Sequence, residues 1–128
     1  MTPLLLDTHV VLWLVDDSPR LGPQTRAALA GGEGPLLASV ASVWETTIKR
    51  SLGRLTVPDT LWDDVVLSGV DLVVITRPDV EAVGALPFHH HDPFDRLLIA
   101  QAQLRGATFV TADRRLADYD VDLIDATR

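Results

Sequence analysis

Residues 92–113 read Asp-Pro-Phe-Asp-Arg-Leu-Leu-Ile-Ala-Gln-Ala-Gln-Leu-Arg-Gly-Ala-Thr-Phe-Val-Thr-Ala-Asp. Asp92 followed by Pro93 has the form of an N-cap with proline at the first helical position, and Gly106 stops the helix after Arg105. The apolar run Ala107 to Thr111 then reads as a buried strand, ending just before Asp113. Helix, strand, acid: the pattern repeats outward from here. Leu4-Leu5-Leu6 is a buried strand ending at Asp7, followed by a short helix over Val10 to Val15 that fades at Asp16-Asp17-Ser18-Pro19. Pro23 to Ala30 predicts a helix stopped by Gly31-Gly32, Pro35 to Ala38 a strand, and Ser39 to Leu52 a helix closed by Gly53. Asp59 to Ser68 reads as a helix, Asp71 to Thr76 as a strand, and Pro78 to Ala85 as a helix. A loop from Gly84 to Asp92 carries Pro87 and His89-His90-His91. A short helix over Arg114 to Ala117 and a strand over Val121 to Ile124 complete the chain. The strands are near-continuous apolar runs, which indicates a parallel sheet covered by helices on both faces. The expected fold is therefore α/β: a three-layer α/β/α sandwich around a central, mainly parallel sheet, in a single domain over residues 1–128.

Composition narrows the function. The 128 residues suffice for one hydrophobic core, and 47% of them are hydrophobic, too many for a disordered chain. The absence of Cys excludes disulfide scaffolds, thiolate metal sites and thiol nucleophiles. Met1-Thr2-Pro3 has no basic n-region of a secretory signal, and the apolar run Val10 to Val15 is far short of a membrane span. A soluble, cytoplasmic protein is expected. Acids outnumber bases 18 to 11, for a net charge of −7, so binding a polyanion would need a recruited cation.

The acids themselves suggest one. Asp7 and Asp113 each follow a strand end, while Glu45 and Asp95 lie in early turns of helices. Each has a bland reading: an N-cap for Asp7 and Asp113, a capping box Ser42-Val-Trp-Glu45 for Glu45, and a macrodipole partner for Asp95. Glu45, however, shares the apolar stripe of Ala41, Trp44, Ile48 and Leu52, and Asp95 aligns with Leu98, Ile99 and Ala102, where an unpaired acid is costly. In a parallel α/β sheet, strand C-termini and the N-termini of crossover helices share one edge. Four carboxylates meeting there with no Lys or Arg to neutralise them would repel, and hard divalent cations relieve that repulsion. Oxygen-only ligands point to Mg²⁺ or Mn²⁺. Such a centre activates water on a phosphodiester without a nucleophilic side chain, and no G-x-S-x-G elbow or glycine-rich phosphate loop is present.

At these residues the sequence resembles the PIN-domain ribonuclease toxins of VapBC-type toxin–antitoxin pairs. The matching segments are Leu-Leu-Asp7-Thr-His, Ser-Val-Trp-Glu45, Asp92-Pro-Phe-Asp95-Arg-Leu-Leu-Ile-Ala and Thr111-Ala-Asp113. The resemblance implies a Mg²⁺- or Mn²⁺-dependent endoribonuclease, acting on tRNA or rRNA, with a small VapB-like antitoxin and a homodimeric state. It assigns catalysis and metal binding to Asp7, Glu45, Asp95 and Asp113, a supporting hydroxyl to Thr111 and an auxiliary acid to Asp92.

Other features are weighed beside this. Arg96, Arg114 and Arg115 flank the acids and are read either as RNA phosphate contacts or as surface ion pairs. The three consecutive histidines are read as a solvated loop, because neighbours in a loop do not readily face one metal, with an RNA contact through charge and imidazole stacking as the other reading. Trp13, Trp44 and Trp62 are expected in the core, with Trp13 and Trp62 able to line a partner groove if partly exposed. A phosphoacceptor receiver domain is disfavoured, since it needs a lysine after the last strand and the only lysine is Lys49. A catalytically idle PIN scaffold that binds antitoxin or RNA is the alternative function.

Overall fold

The computed structural model describes residues 1–32 and 34–128. Five parallel strands form one sheet in the order β3-β2-β1-β4-β5: β1 (Leu4–Leu6), β2 (Leu36–Ser39), β3 (Val70–Val73), β4 (Thr108–Thr111) and β5 (Leu123–Asp125). Six α-helices connect them: α1 (Thr8–Val15), α2 (Pro23–Ala30), α3 (Val40–Ser51), α4 (Leu61–Leu67), α5 (Arg77–Val83) and α6 (Pro93–Arg105). A 3₁₀ turn over Arg114–Asp118 follows β4.

The unbroken apolar strands follow from burial on both faces. Successive residues of a strand point to opposite sides, so Leu4 and Leu6 enter one core while Leu5 enters the other. Val110 and Phe109 of β4 divide in the same way. The first core is closed by Val10 and Val11 of α1, Leu29 of α2 and Leu61 and Val65 of α4. The second is closed chiefly by Leu97, Leu98, Ile99, Ala100 and Ala102 of α6, with Ala41 of α3. Three layers result.

The chain winds outward from β1 through β2 to β3, then returns to place β4 on the other side of β1, with Leu6 paired to Val110. Strand order reverses between β1 and β4. The crevice beyond the C-terminal ends of these two strands is where open α/β sheets bind ligands, and Asp7 and Asp113 emerge on either side of it.

The stripe expected on α3 is rotated. Trp44 is 56% exposed and Leu52 is 60% exposed, so neither belongs to the core. The buried face keeps Ala41 and Glu45 of that stripe and adds Ser42 and Thr46. Small and hydroxyl side chains let α3 pack closely, and Trp44 rests edge-on against Phe94 with centroids 5.0 Å apart. Trp13 and Trp62 are half-buried against the first core. Among the described residues, no helix is long and apolar enough to cross a membrane.

Candidate metal centre

Asp7 occupies the N-cap position of α1 but makes no side-chain cap hydrogen bond. Its carboxylate is buried and instead accepts a 2.6 Å bond from the hydroxyl of Thr111, on the adjacent strand. Burial pushes the Asp7 carboxyl above its ordinary range, with the Thr111 bond acting against that rise. The bland reading of Asp7 thus fails, and Thr111 fixes one of its oxygens.

Glu45 forms no capping box, because Ser39 caps α3 by accepting from Ala41 N. That start places Glu45 one turn inside the helix, buried against α1. Thr8 Oγ1 lies 2.7 Å from both Glu45 Oε1 and Ser42 Oγ; with one proton, it donates to the carboxylate and accepts from Ser42. Lys49, one turn further along, donates to Glu45 Oε2 at 2.9 Å. Both oxygens of Glu45 are held.

Asp95 stands in the first turn of α6, whose N-cap Asp92 accepts from Phe94 N and Asp95 N. Its carboxyl is pushed up to about 8, first by burial and then by the charges of Asp7, Asp92, Glu45 and Asp113. Asp113 keeps its expected N-cap bond, from Arg115 N, and is also gripped by the Arg115 guanidinium at 2.8 and 3.0 Å. That grip holds the Asp113 carboxyl below its ordinary range.

Asp7, Glu45, Asp92, Asp95 and Asp113 line one cleft of about 560 Å³, with Arg20, Lys49, His90 and Arg115 on the same walls. The cleft is therefore not free of basic groups, contrary to expectation: Lys49 and Arg115 each pair with an acid. They neutralise Glu45 and Asp113 and leave Asp7 and Asp95 without a basic partner of that kind. Hard oxygen donors and no sulfur suit a divalent cation, and the charge pressure on Asp95 is relieved by one.

Sequence reasoning missed His90. The loop does not leave all three histidines in solvent. His90 turns inward with its side chain 12% exposed, and Nε2 lies 3.0 Å from Asp95 Oδ2 and 3.9 Å from Asp113 Oδ2. One signal was available: His90 lies five residues before Asp95, on a loop that had to return to the acidic edge.

Arg96 requires the opposite correction. It is buried, donating to the carbonyls of Pro87, Val83 and Leu86 and to the Tyr119 hydroxyl, and its guanidinium sits 4.3 Å from the centroid of Phe88. Its donors are committed to protein oxygens. Val83 O also accepts from Leu86 N, while Leu86 O and Pro87 O take their bonds from Arg96. Arg114 is exposed, 3.6 Å from Asp125, and is absent from the walls of the acidic cleft. Arg115 is on its rim.

The PIN domain family model matches residues 4–122. Ribonuclease VapC22 of Mycobacterium tuberculosis (strain ATCC 25618 / H37Rv) is 33% identical over 123 residues, covering 93% of each chain. VapBC2 from Rickettsia felis, bound to a promoter DNA fragment, superposes with a TM-score of 0.73 at 14% identity, covering 96% of this chain and 98% of that one. VapBC-1 from nontypeable Haemophilus influenzae gives 0.69 at 16% identity, over 99% and 100% of the two chains. These two structures share the fold, and the extent of the family match settles membership: the chain belongs to the PIN domain family.

Proposed function

We propose that this chain is a divalent-metal-dependent endoribonuclease, the toxin of a type II toxin–antitoxin pair, using Mg²⁺ or Mn²⁺ held by Asp7, Glu45, Asp95 and Asp113. One observation carries the reading: four acids far apart in sequence line a single cleft at the switch point of the sheet. Its likeness to a protein named as a ribonuclease supports the substrate class.

When bound, the metal supplies Lewis-acid polarisation of the phosphodiester and an acidified water. The rest is done by the chain itself. Thr111 aims Asp7, Thr8 and Lys49 fix both oxygens of Glu45, and Asp92 anchors the helix turn that carries Asp95. Arg20, Lys49 and Arg115 give an acidic protein a local cationic rim for the RNA backbone, Lys49 and Arg115 being also paired with Glu45 and Asp113. tRNA or rRNA is the expected substrate, in the cytoplasm.

A VapB-like antitoxin partner is supported by the VapBC complexes that share the fold. It is supported further by an apolar groove of about 650 Å³ lined by Leu14, Val15, Leu29, Leu36 and Val70, which includes the end of the apolar segment 10–15. The homodimer rests on the family resemblance and is tested by sedimentation of the purified chain.

The deciding experiment is RNA cleavage by purified protein with Mg²⁺ or Mn²⁺. Asp7→Asn and Glu45→Gln are expected to lose about 100-fold or more while retaining the wild-type circular dichroism spectrum. Full cleavage by either variant, or in the presence of EDTA, rules the reading out. Saturable RNA or antitoxin binding with no cleavage by the wild type would indicate the idle scaffold.

A further inference from the structure

The three histidines diverge. His89 stacks edge-on against Tyr119 with centroids 5.0 Å apart, and His91 leans toward Phe88 at 6.2 Å. His90 alone points into the acidic cleft. Its backbone is pinned there: His90 N donates to the Tyr119 hydroxyl at 3.1 Å, that hydroxyl lies 3.4 Å from His90 O, and buried Arg96 reaches the same two oxygens at 3.1 and 3.5 Å. Two buried side chains, from α6 and from the turn after β4, thus fix the position of one loop residue.

The donors fit a single ion. An octahedral ion with bonds of about 2.1 Å places neighbouring donors about 3.0 Å apart and opposite donors about 4.2 Å apart. His90 Nε2 is 3.0 Å from Asp95 Oδ2 and 3.9 Å from Asp113 Oδ2, and ligand atoms of all three residues lie within 4.8 Å of one another. Among the described residues, this is the only group of three or more ligating side chains so close. We propose that His90 is a nitrogen ligand of the metal centre, completing a coordination sphere with Asp95 and Asp113 and biasing the site toward Mn²⁺ over Mg²⁺. Imidazole is a poor donor for Mg²⁺, which prefers oxygen, and a better one for a transition ion. The inference rests on the reading of the cleft as a divalent-metal site.

Pulsed electron paramagnetic resonance of the Mn²⁺-loaded wild-type protein tests it directly. A ¹⁴N coupling to the ion is expected. It disappears in His90→Ala and in His90→Gln, the second of which retains a hydrogen-bonding group toward Asp95. It persists in His89→Ala, in His91→Ala and in His9→Ala, His9 being the other imidazole on the cleft wall. In competition titrations, the preference for Mn²⁺ over Mg²⁺ falls about tenfold in both His90 variants. Saturable Mn²⁺ binding with no nitrogen coupling overturns the assignment and leaves His90 a hydrogen-bond partner of Asp95, with the metal site intact. A coupling that vanishes with His9 instead of His90 also overturns it. No saturable Mn²⁺ binding by the wild type removes the metal reading itself, and this inference with it.

Discussion

Asp95 holds its proton well past the pH at which an ordinary carboxyl gives it up, to about 8. Four acids face it: Asp7 from the end of β1, Glu45 from α3, Asp92 from its own N-cap and Asp113 from the end of β4. The basic groups around them are His9, Arg20, Lys49, His90 and Arg115. Its carboxyl pKa is raised on folding, so the associated stability is fully present below pH 4 and is lost as the pH rises through about 8. Asp95→Asn should therefore raise the melting temperature of metal-free protein at pH 8 and leave it unchanged at pH 4, as read by calorimetry. A divalent ion must displace that proton, so Mn²⁺ affinity should climb with pH, by up to about tenfold per unit, and level off above 8. Titrations in buffers of different ionisation enthalpy count the proton released. Thr111 provides a second test at this scale. Thr111→Val removes the donor that steadies Asp7 and should weaken metal binding by about 10–100-fold with the fold intact, as measured by calorimetric titration.

At the scale of elements, α5 and α6 are joined by an ion pair between buried Asp79 and half-buried Arg105, outside the cleft. Asp79 sits at N3 of α5 in a capping box with Thr76, and both of its oxygens also accept from Arg105 of α6, at 2.8 and 3.1 Å. Gln101 adds a 3.1 Å bond. The Arg105 guanidinium holds the Asp79 carboxyl well below its ordinary range, so this stability is present above pH 4 and lost as the pH falls below it. Arg105→Ala should cost about 2–3 kcal/mol in denaturant unfolding at pH 7, less than a wholly unpaired buried charge because the other bonds to Asp79 survive. The difference from wild type should shrink in acid. The helices themselves were legible in the sequence. Pro23 and Pro93 fall at first helical positions, and Gly106 ends α6 with φ of 59°. The facing of α3 was not fully legible, because Trp44 and Leu52 look like core by residue type, while the buried positions are Ala41 against the second core, Ser42 bonded to Thr8 of α1 and Thr46 bonded to Trp62 of α4. The position of His90 was hidden for a similar reason. It depends on Tyr119, 29 residues away, and no local pattern encodes that contact. Arg96, read beside the acids because it follows Asp95, points away from them because successive helical residues are about 100° apart.

Across the whole molecule, the C-terminal segment closes back on α2. Arg128 O accepts from Gln24 N and Thr25 N, and Ala126 O accepts from Gly22 N, satisfying N–H groups at the start of a helix that has no side-chain cap. The approach is tight: a Cβ on Gly22 would lie 2.1 Å from the Arg128 carbonyl carbon. Gly22→Ala should therefore force the segment off and cost about 2 kcal/mol in thermal unfolding, with RNA cleavage at 25 °C retained because the acidic cleft is untouched. The overall architecture could be read from the sequence because both cores draw on the same continuous strand runs. The convergence of acids could also be read, since a parallel sheet forces its strand ends to one edge.

The pairing of Leu6 with Val110 at the centre of that sheet has a temporal corollary. The innermost seam joins segments made early and late in translation, and closing so long a loop precedes any reward from the contact. Residues 1–107 alone have neither the β1–β4 crevice nor Asp113. A product that stops before β4 consequently carries the other three acids without the strand that gathers them, and should not cleave RNA.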